Sequence, residues 1–526
     1  SLDLVVGLLG IWQAGGAAVP LDPGQPASRL ELLLADALPA GASAVVSQRG
    51  LQDLQETLRL GSTTVVWPIV WVDEEETGPE VSLAAPAGSD LAYLLYTSGS
   101  TGRPKGVLVE HGSLAHTLAK AQELLGLMAG ERMPVLAPAT FDAFLFELLL
   151  PLLCGGTAVL IENRPVLDMK ILLAELERST LLFAVPSVLQ RLTAMILERG
   201  ERFEGDSRFP RLRQVFTGAE AVGRDLVAAM RQAFAGARLW ALYGPTEAAI
   251  CTSGEEAEEG SHNGIGRPLP GVTVEVRDAL GSLVPAGSAG ELWLGGPGLA
   301  RGYLGRPELT AERFVPSSSV PGARLYRTGD RVRFAATGRL EFLGRIDQQV
   351  KVRGFRIEPG EVEAALLGCP GVEAAAVLVQ DERLVAYVAG ISGIAALEGP
   401  ELRRFAESRL PSYMVPSRFV RLDRLPLTRH GKVDRRALAG LAIQRAAEDP
   451  GVQAPAAGLE SLVASVFREV LGVEKVGLDD NFFDLGGHSL LLVEVQSRLS
   501  KQLGEEVPLL EIYRNPNAGA LARALA

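Results

Sequence analysis

Cysteine and histidine are scarce in this chain. The 526 residues include five histidines and three cysteines, which are Cys154, Cys251 and Cys369. An odd, scattered set of cysteines without a C-x-x-C pair excludes a dense disulfide framework and indicates a reducing compartment, so we expect a cytoplasmic protein. The histidines follow no metal-ligand spacing, which argues against a structural zinc site.

Net positive charge and an uninterrupted apolar run are also absent. The formal net charge is −12, whereas a nucleic-acid-binding protein is more often basic. The most apolar stretch, 143–161, carries Glu147 as its only charge, but Pro151 and a glycine pair at 155–156 interrupt it. A membrane-spanning helix needs about 20 uninterrupted apolar residues. This stretch therefore predicts a buried helix followed by a buried strand, and we expect neither nucleic acid nor membrane as a partner.

Helical and strand patterns alternate from the start of the chain to about residue 343. Short Val/Leu/Ile runs are separated by helix-like segments, which favours layered α/β structure with largely parallel sheets. Examples of these runs are 181–185, 212–216 and 239–243. After Asn263 the strand pattern dominates, at 272–276, 291–295 and 339–343, which indicates a smaller β-rich unit.

The rest of the chain divides into three segments. Residues 346–440 contain a helical pattern at 361–367 and strand patterns at 374–379 and 384–388, which predict a small α+β unit. Residues 344–348 before it are a hinge candidate. Residues 441–456 are rich in Ala, Pro and Gln, as is typical of a linker. Residues 457–526 return to helical spacing and predict a small helical bundle.

The segment Tyr96–Gly106 reads Y-T-S-G-S-T-G-R-P-K-G. Its glycines allow backbone N–H groups to come close, its hydroxyls donate hydrogen bonds, and Lys105 supplies a mobile charge, so it can wrap a polyphosphate. It is not a Walker A loop, because Pro104 precedes the lysine and Gly106 follows it. A polar surface loop is the alternative. The candidate phosphate-binding residues are Thr97, Ser98, Gly99, Ser100, Thr101, Gly102 and Lys105.

This segment resembles the phosphate-binding motif of adenylate-forming enzymes, and specifically of the amino-acid adenylation domains of non-ribosomal peptide synthetases. Further matches follow in the family's order along nearly the whole chain. They are A-G-G-A-A-V-P-L-D-P at 14–23, F-D-A at 141–143, Y-G-P-T-E at 243–247, G-E-L at 290–292, A-R-G-Y-L at 300–304, Y-R-T-G-D at 326–330, G-R-I-D-Q-Q-V-K-V-R-G at 344–354, L-P-S-Y-M-V-P at 410–416 and G-K-V-D-R at 431–435. The chain opens at Ser1, whereas family members carry a longer N-terminal stretch, so we expect residues to precede it.

The resemblance implies a domain order. A large α/β adenylation subdomain would span 1–345, a small α+β subdomain 346–440, a linker 441–456, and a four-helix-bundle carrier domain 457–526. Asp347 would be the hinge about which the small subdomain rotates. That rotation would bring Lys432, the main catalytic cation, to the first half-reaction and the region 351–354 to the second. The alternative for Lys432 is a solvated lysine on a mobile loop.

The resemblance also assigns the nucleotide site. The implied ATP-binding residues beyond the phosphate loop are Tyr243, Gly244, Thr246, Asp330 and Arg345. Tyr243 would stack near adenine, Asp330 would accept hydrogen bonds from the ribose diol, and Thr246 would contact phosphate. Arg345 would bind ribose or phosphate, and Glu247 would hold Mg²⁺. The alternative for Asp330 is a structural aspartate in a turn. For Arg345 it is a surface salt bridge, and for Glu247 an ordinary acid at the start of a helix.

The amino-acid pocket follows in the same way. Asp142 would pair with the substrate ammonium, since a buried carboxylate needs a cationic partner. The remaining lining would be Ala143, Phe146, Phe183, Phe216, Gly218, Leu242, Ile250 and Cys251, for which ordinary core packing is the alternative. Because every one of these side chains is apolar, we expect a branched aliphatic substrate, valine ahead of leucine or isoleucine.

The segment 480–491, D-N-F-F-D-L-G-G-H-S-L-L, resembles the attachment motif of peptidyl carrier domains. By this resemblance Ser489 would carry 4′-phosphopantetheine, installed by a separate phosphopantetheinyl transferase. A simple N-cap, or a nucleophile paired with His488, are the alternatives for Ser489. The implied partners are an amino acid, downstream condensation, tailoring or release enzymes, and a small helper protein. A ligase for acyl or aryl acids, loading a carrier or CoA, is the competing function.

Overall fold

The structure, a computed structural model, describes residues 1–37, 44–48, 69–73, 84–99, 102–161, 169–198, 208–258, 264–380, 383–390, 399–445 and most of 458–525. The chain forms two compact units. The first comprises Ser1–Gly99, Arg103–Glu162 and Met169–Ile357, and the second Glu358–Ala526 with the short segments 100–102 and 163–168.

The phosphate-loop segment lies between two antiparallel strands of the first unit. Strand β3 (Leu91–Thr97) pairs with β4 (Lys105–Glu110), and β14 (Gly302–Tyr303) adds to the far edge of β4. Before them come helices α1 (Leu2–Gln13) and α2 (Ala27–Ala37), and the parallel pair β1 (Val45–Ser47) and β2 (Ile69–Trp71). Helix α3 (His111–Leu125) follows β4 and ends at Gly126 in the left-handed conformation that glycine adopts readily.

The apolar stretch at 143–161 forms a helix and a strand. Strand β5 (Arg132–Val135) leads to helix α4 (Asp142–Leu153), and β6 (Thr157–Leu160) pairs parallel with β5. The helix is largely buried, as predicted, but β6 is partly exposed, so the prediction of a buried strand was wrong. Within the described part of the chain, no helix is long and apolar enough to cross a membrane.

A ten-stranded sheet dominates the first unit. Its parallel half contains β7 (Leu181–Phe183), β8 (Gln214–Thr217) and β9 (Arg238–Tyr243). The connections around these strands carry α5 (Met169–Leu176), α6 (Pro186–Glu198) and α7 (Arg224–Ala233). These strands are almost wholly apolar and buried, as expected for parallel strands covered on both faces.

The antiparallel half of the same sheet holds the strand-rich region. It contains β10 (Ser253–Glu256), β11 (Gly264–Pro268), β12 (Thr273–Arg277), β13 (Gly290–Gly295), β15 (Phe314–Pro316), β16 (Arg324–Phe334) and β17 (Leu340–Arg345). Helix α8 (Pro307–Arg313) precedes β15. The predicted β-rich unit is therefore continuous with the parallel strands, because β10 pairs with β9.

A short hairpin closes the first unit. Strand β18 (Val350–Val352) pairs with β19 (Phe355–Ile357), and the turn between them holds Arg353 and Gly354 at positive φ. The first compact unit thus extends to Ile357, beyond the predicted boundary at residue 345. The predicted domain limits and the hinge at Asp347 remain predictions.

The second unit begins with a small α+β region. Helix α9 (Pro359–Leu367) precedes the sheet of β20 (Val372–Gln380), β21 (Arg383–Gly390) and β22 (Arg418–Leu422). Helices α10 (Gly399–Glu407) and α11 (Arg435–Arg445) complete it. Its core includes the buried side chains Tyr387 and Leu438. Most of the predicted linker lies outside the described residues.

The carrier region contains helices α12 (Leu459–Leu471), α13 (Ser489–Leu503) and α14 (Ala518–Leu525). Their apolar faces share one core, in which the rings of Phe467 and Phe482 lie 4.8 Å apart between centroids. Residues 511–512 are also helical, with neighbours outside the described residues. Helical periodicity in the sequence predicted the helices of this region correctly.

Truncating Phe467 should unfold the carrier region selectively. Its side chain is fully buried, and a Phe-to-Ala change in a core costs about 3–5 kcal/mol, most of what a domain this small can supply. Phe467→Ala should raise hydrogen–deuterium exchange throughout 459–525 of the full chain. The matched control, Phe234→Ala, removes a buried ring of the first unit. Unchanged exchange at 459–525 in Phe467→Ala would contradict this reading of the core.

Candidate functional site

Several of the residues predicted to line the amino-acid pocket form a packed apolar cluster where the parallel strands end. The carboxyl ends of β7, β8 and β9 carry Phe183, Phe216 and Leu242, and α4 contributes Phe146. The centroid of the Phe146 ring lies 5.8 Å from that of Phe183 and 6.3 Å from that of Phe216. The strand ends of an α/β sheet are where such folds bind ligands. The structure therefore brings together four of the predicted pocket residues.

Backbone geometry shapes the remaining wall of this pocket. Gly218 follows β8, and a side chain there would lie 2.7 Å from the Leu242 carbonyl. Ile250 adopts φ +74°, which is costly for a β-branched residue and typical of functional sites. Gly244 accommodates this turn, because a Cβ at that position would lie 2.2 Å from the Ile250 carbonyl oxygen. Cys251 follows and is buried.

Asp142 is the first residue of α4, with Ala143 beside it. Its carboxylate accepts hydrogen bonds from the Thr246 hydroxyl and the Ala143 N–H, both of which are neutral donors. Burial raises the pKa of Asp142 to about 6 despite these bonds, and the nearby Glu247 charge adds to the rise, whereas the Arg356 charge opposes it. A cation bound next to the Asp142 carboxylate would therefore stabilise its ionised form. Thr246 was predicted to contact phosphate, but here its hydroxyl binds Asp142.

A second polar group lies on the other side of Gly244. The Tyr243 hydroxyl donates to Asp330, and Arg345 Nη1 donates to Asp330 Oδ1 at 2.9 Å. Arg345 also binds both oxygens of Asp347, at 2.7 and 2.5 Å. The structure thus joins three predicted nucleotide residues and connects them to the predicted hinge.

A cavity opens next to Tyr243. Among its lining residues are Ala219, Glu220, Gly244, Phe342 and Lys351. The Lys351 ammonium lies 5.7 Å from the centroid of the Tyr243 ring. Burial lowers the pKa of Lys351, and the Asp330 carboxylate opposes this effect. The lining of this cavity thus combines an aromatic ring, a cation and a carboxylate.

Glu247 is fully buried and holds two cations. Its Oε1 binds Lys105 Nζ at 3.1 Å and the Tyr303 hydroxyl at 2.8 Å, while its Oε2 binds Arg356 Nη1 at 2.7 Å. Burial would raise the pKa of Glu247, yet the charges of Arg356 and Lys105 hold it well below its usual range. Lys105 was predicted to be a mobile charge. This prediction was wrong, because Lys105 is the first residue of β4, buried and ion-paired.

The predicted magnesium role of Glu247 does not fit this arrangement. Both of its carboxylate oxygens already bind cations, whereas Mg²⁺ needs free oxygen ligands in octahedral geometry. The described residues contain no cluster of three or more His, Cys, Asp or Glu side chains that could hold a metal ion. Binding of Mg²⁺ by Glu247 would require one of these ion pairs to break, and this role stays a prediction.

The phosphate loop is described at its two ends. Thr97 ends β3, and the buried Ser98 hydroxyl donates to the Arg356 carbonyl at 2.9 Å. Gly99 is required by close approach, since a Cβ there would lie 1.8 Å from the Arg103 carbonyl oxygen. Gly102 has φ +80°. The predicted ligands Ser100 and Thr101 lie outside the described residues.

Motif-based prediction missed Arg356, Phe355 and Glu220 as components of the site. Arg356 binds Glu247, and the Phe355 ring lies 5.3 Å from that of Phe141, next to Asp142. Glu220 accepts the Gly354 N–H at 2.5 Å. For Arg356, the signal in the sequence was the high density of basic residues after Asp347. A linear motif does not show which acidic residue such a basic residue would pair with.

Two predicted residues belong to the second unit. Lys432 lies in an exposed turn that the bridge between Leu427 and Val433 closes. Ser489 is the first residue of α13, as predicted from the helical pattern. The residues before it at 481, 483, 484, 486 and 488 lie outside the described part of the chain.

Family models match three segments in the predicted order. The AMP-binding enzyme model matches residues 1–304, the AMP-binding enzyme C-terminal domain 361–432, and the phosphopantetheine attachment site 461–525. The chain therefore belongs to the AMP-binding enzymes and carries a phosphopantetheine-attachment domain. ATP and 4′-phosphopantetheine follow as cofactors, with Mg²⁺ as the ion typical of the family.

Curated relatives and solved structures share this organisation. The chain is 39% identical over 536 residues to a linear gramicidin synthase of Brevibacillus parabrevis, and 37% identical over 542 residues to a dimodular nonribosomal peptide synthase of Bacillus subtilis (strain 168). It matches over all of its own length but spans only 7% and 22% of theirs. A solved NRPS protein with adenylation and PCP domains, holo-PA1221, is 27% identical with a TM-score of 0.79, over 100% of this chain and 86% of that one. A four-domain nonribosomal peptide synthetase bound to AMP and glycine, holo-AB3403, is 34% identical with a TM-score of 0.55, over 99% of this chain and 38% of that one.

These matches confirm the prediction of an adenylation domain followed by a carrier domain, within the adenylate-forming enzymes and of the nonribosomal peptide synthetase type. They also confirm the predicted fold class. The roles of individual site residues remain predictions, supported by the contacts described above.

The pKa of Asp142 should appear in the pH profile of amino-acid use. Below about pH 6 the carboxyl is protonated and cannot pair with an ammonium, so kcat/KM for the amino acid should fall about tenfold per pH unit. Above that pH the profile should be flat until other groups titrate. Measurement of pyrophosphate exchange across about pH 5–8 tests this expectation. In Asp142→Asn the inflection should disappear, and its persistence would assign it to another group.

Proposed function

We propose that this chain activates an amino acid with ATP as an aminoacyl-AMP and transfers it as a thioester to phosphopantetheine on its own Ser489. The observation that carries the proposal is the placement of Asp142. Its partly buried carboxylate accepts hydrogen bonds from neutral donors, it begins the helix that carries Phe146, and it directly follows Phe141, whose ring contacts the hairpin. A binding site for an amino acid is consistent with a chain that contains both an AMP-binding domain and a phosphopantetheine-attachment domain.

In the first half-reaction, a carboxylate oxygen of the amino acid attacks the α-phosphorus of ATP. The bond from the α-phosphorus to the bridging oxygen breaks, and pyrophosphate leaves. The chain's part is to position the reactants and to place positive charge near the phosphates. Asp142 would hold the substrate ammonium, Asp330 the ribose hydroxyls, and Lys432 the charge that develops at the α-phosphate.

In the second half-reaction, the pantetheine thiol attacks the carbonyl carbon of the adenylate. The bond from that carbon to the AMP oxygen breaks, and AMP and a proton are released. The mixed anhydride is already activated, so no nucleophilic triad is required. We propose that the small subdomain turns at Asp347 between the two steps, because two chemistries that share one pocket need different groups.

The side-chain pocket supports a branched aliphatic substrate, with valine first. Phe146 and Phe216 are almost completely buried, and their rings pack edge to face, so they leave little room for an aromatic substrate. A charged substrate side chain would meet no partner among the predicted lining residues, which would cost about 1–3 kcal/mol or more. Among the branched aliphatic amino acids, valine has the smallest side chain and is proposed first.

The proposal implies partners. A phosphopantetheinyl transferase would modify Ser489, and condensation, tailoring or release enzymes would use the thioester. A small helper protein is a further candidate. A ligase for acyl or aryl acids is less well supported, because a substrate without an amine would leave the Asp142 carboxylate unpaired.

Amino-acid-dependent exchange of radiolabelled pyrophosphate into ATP tests the first half-reaction. Valine should give the strongest signal among the proteinogenic amino acids. 3-Methylbutanoate, which is valine without its amine, should be used roughly 10²–10⁴-fold less well, because a buried carboxylate that loses its partner costs about 3–5 kcal/mol. Preferential use of acids without an amine would instead indicate the ligase. No exchange with any acid would indicate that the chain needs a helper or further sequence.

Substitution of Ser489 should separate the two half-reactions. After treatment with a phosphopantetheinyl transferase and CoA, the unmodified chain should gain the pantetheine mass and then the aminoacyl mass. Ser489→Ala should gain neither, with pyrophosphate exchange unchanged. The control is Ser497→Ala, an exposed serine of the same helix, which should load normally. Loading of Ser489→Ala would place the attachment elsewhere.

A further inference from the structure

The segment G-E-L at 290–292 has no role in the reaction described so far. Its glutamate, Glu291, lies on β13 and is buried, with 7% of its surface exposed. The neighbouring strand β16 carries the Y-R-T-G-D segment, which ends at Asp330. At residues 328–330 its register with β13 shifts and the strand bulges, and this bulge is called the turn before Asp330 below. A buried carboxylate that faces a ligand-binding turn requires an explanation, because it must be compensated by its neighbours.

Glu291 binds the turn directly before Asp330. Its Oε1 accepts the Gly329 N–H at 3.1 Å, and its Oε2 accepts from Arg327 Nη2 at 3.2 Å. Arg327 is held over the face of Trp293, 5.2 Å from the ring centroid, on the same strand as Glu291. A charge-assisted hydrogen bond to a backbone N–H is stronger than a neutral one. Glu291 therefore fixes the peptide that precedes Asp330.

The same turn is fixed on its other sides. The Thr328 hydroxyl donates to the Leu292 carbonyl at 2.7 Å and accepts the Asp330 N–H at 2.9 Å. The Gly329 carbonyl accepts the Ile346 N–H at 3.0 Å. Gly329 has φ +74°, and a Cβ there would lie 2.7 Å from both Arg345 Nη2 and Asp347 Oδ2. Hydrogen bonds thus anchor this turn on several sides, and β13 supplies two of them.

The orientation of Asp330 matters because its oxygens are already partly used. Oδ2 accepts from the Tyr243 hydroxyl and Oδ1 from Arg345, so each oxygen keeps one further acceptor position. Those two positions must both point at the ribose for a diol to be recognised. A small rotation of the turn would misdirect them.

We propose that Glu291 is a positioning residue that orients Asp330 for the two ribose hydroxyls of ATP and so gives the site its preference for ribose over deoxyribose. This inference rests on the proposed function of the site, because it takes Asp330 as the ribose ligand. Glu291 itself touches no substrate atom. It acts through the Gly329 peptide.

The test compares the binding of ATP, 2′-deoxy-ATP and 3′-deoxy-ATP to the full chain by isothermal titration calorimetry. The unmodified chain should bind ATP more tightly than either deoxy nucleotide. Glu291→Met, which keeps the shape but removes the acceptor, should weaken ATP binding about tenfold and reduce the preference over the deoxy nucleotides by a similar factor. Glu291→Gln keeps an acceptor for the Gly329 N–H and should retain most of the preference.

Two further variants separate positioning from stability. Glu275 on β12 is equally buried at 7% exposure, and its carboxylate binds Arg277 at 2.6 Å, so Glu275→Met should lower stability without changing the nucleotide preference. Thr328→Val removes two hydrogen bonds of the turn with little change in shape and should reproduce the loss of preference. This variant also serves if Glu291→Met does not fold.

An unchanged preference in folded Glu291→Met or Thr328→Val, or no preference in the unmodified chain, would overturn the inference. A parallel measurement of KM and kcat in pyrophosphate exchange should show a higher KM for ATP with an unchanged KM for the amino acid. If the unmodified chain prefers ribose over deoxyribose but exchanges no pyrophosphate with any amino acid, the result would count against the proposed function. The positioning role of Glu291 would then still be supported by the nucleotide binding data.

Discussion

The compensation of one buried charge connects the distant parts of the first unit. Glu247 has no exposed surface, and its three partners come from β4, β14 and the hairpin after Asp347. Removal of one partner from a buried ion pair typically costs about 3–5 kcal/mol, because a charge is then left without compensation. The strand after the phosphate loop, the A-R-G-Y-L segment and the hairpin therefore cannot move independently while this group is intact.

The same constraint operates around Asp330 on a smaller scale. Tyr243 and Arg345 compensate this buried carboxylate, and Arg345 extends the group to Asp347. One guanidinium thus serves both the predicted ribose ligand and the predicted hinge. Any movement at Asp347 must break or carry with it two hydrogen bonds to Arg345, so the predicted nucleotide site and the predicted hinge would be energetically linked.

Sequence reasoning predicted many of the elements that the structure describes, and its errors have a common cause. The strands at 181–183, 214–217 and 238–243 follow from local periodicity. Local periodicity did not predict that the antiparallel strands continue the same sheet as the parallel ones, because strand pairing depends on contacts between residues far apart in sequence. Lys105 was misjudged and Arg356 was missed for the same reason. Their common ion-pair partner, Glu247, lies 142 residues from Lys105 and 109 residues from Arg356, and a short motif does not identify a partner so far away. Arg327 and Glu291 form another such pair.

The buried acids of the site differ in how they are compensated, and the difference indicates their use. Glu247 and Asp330 have cations of the chain itself, so their charges are compensated before any ligand arrives. Asp142 accepts hydrogen bonds from a hydroxyl and a backbone N–H, and burial raises its pKa to about 6. An acid held in this state gains most from a ligand that supplies the missing positive charge. This difference supports the proposal that Asp142 binds the ammonium of the substrate.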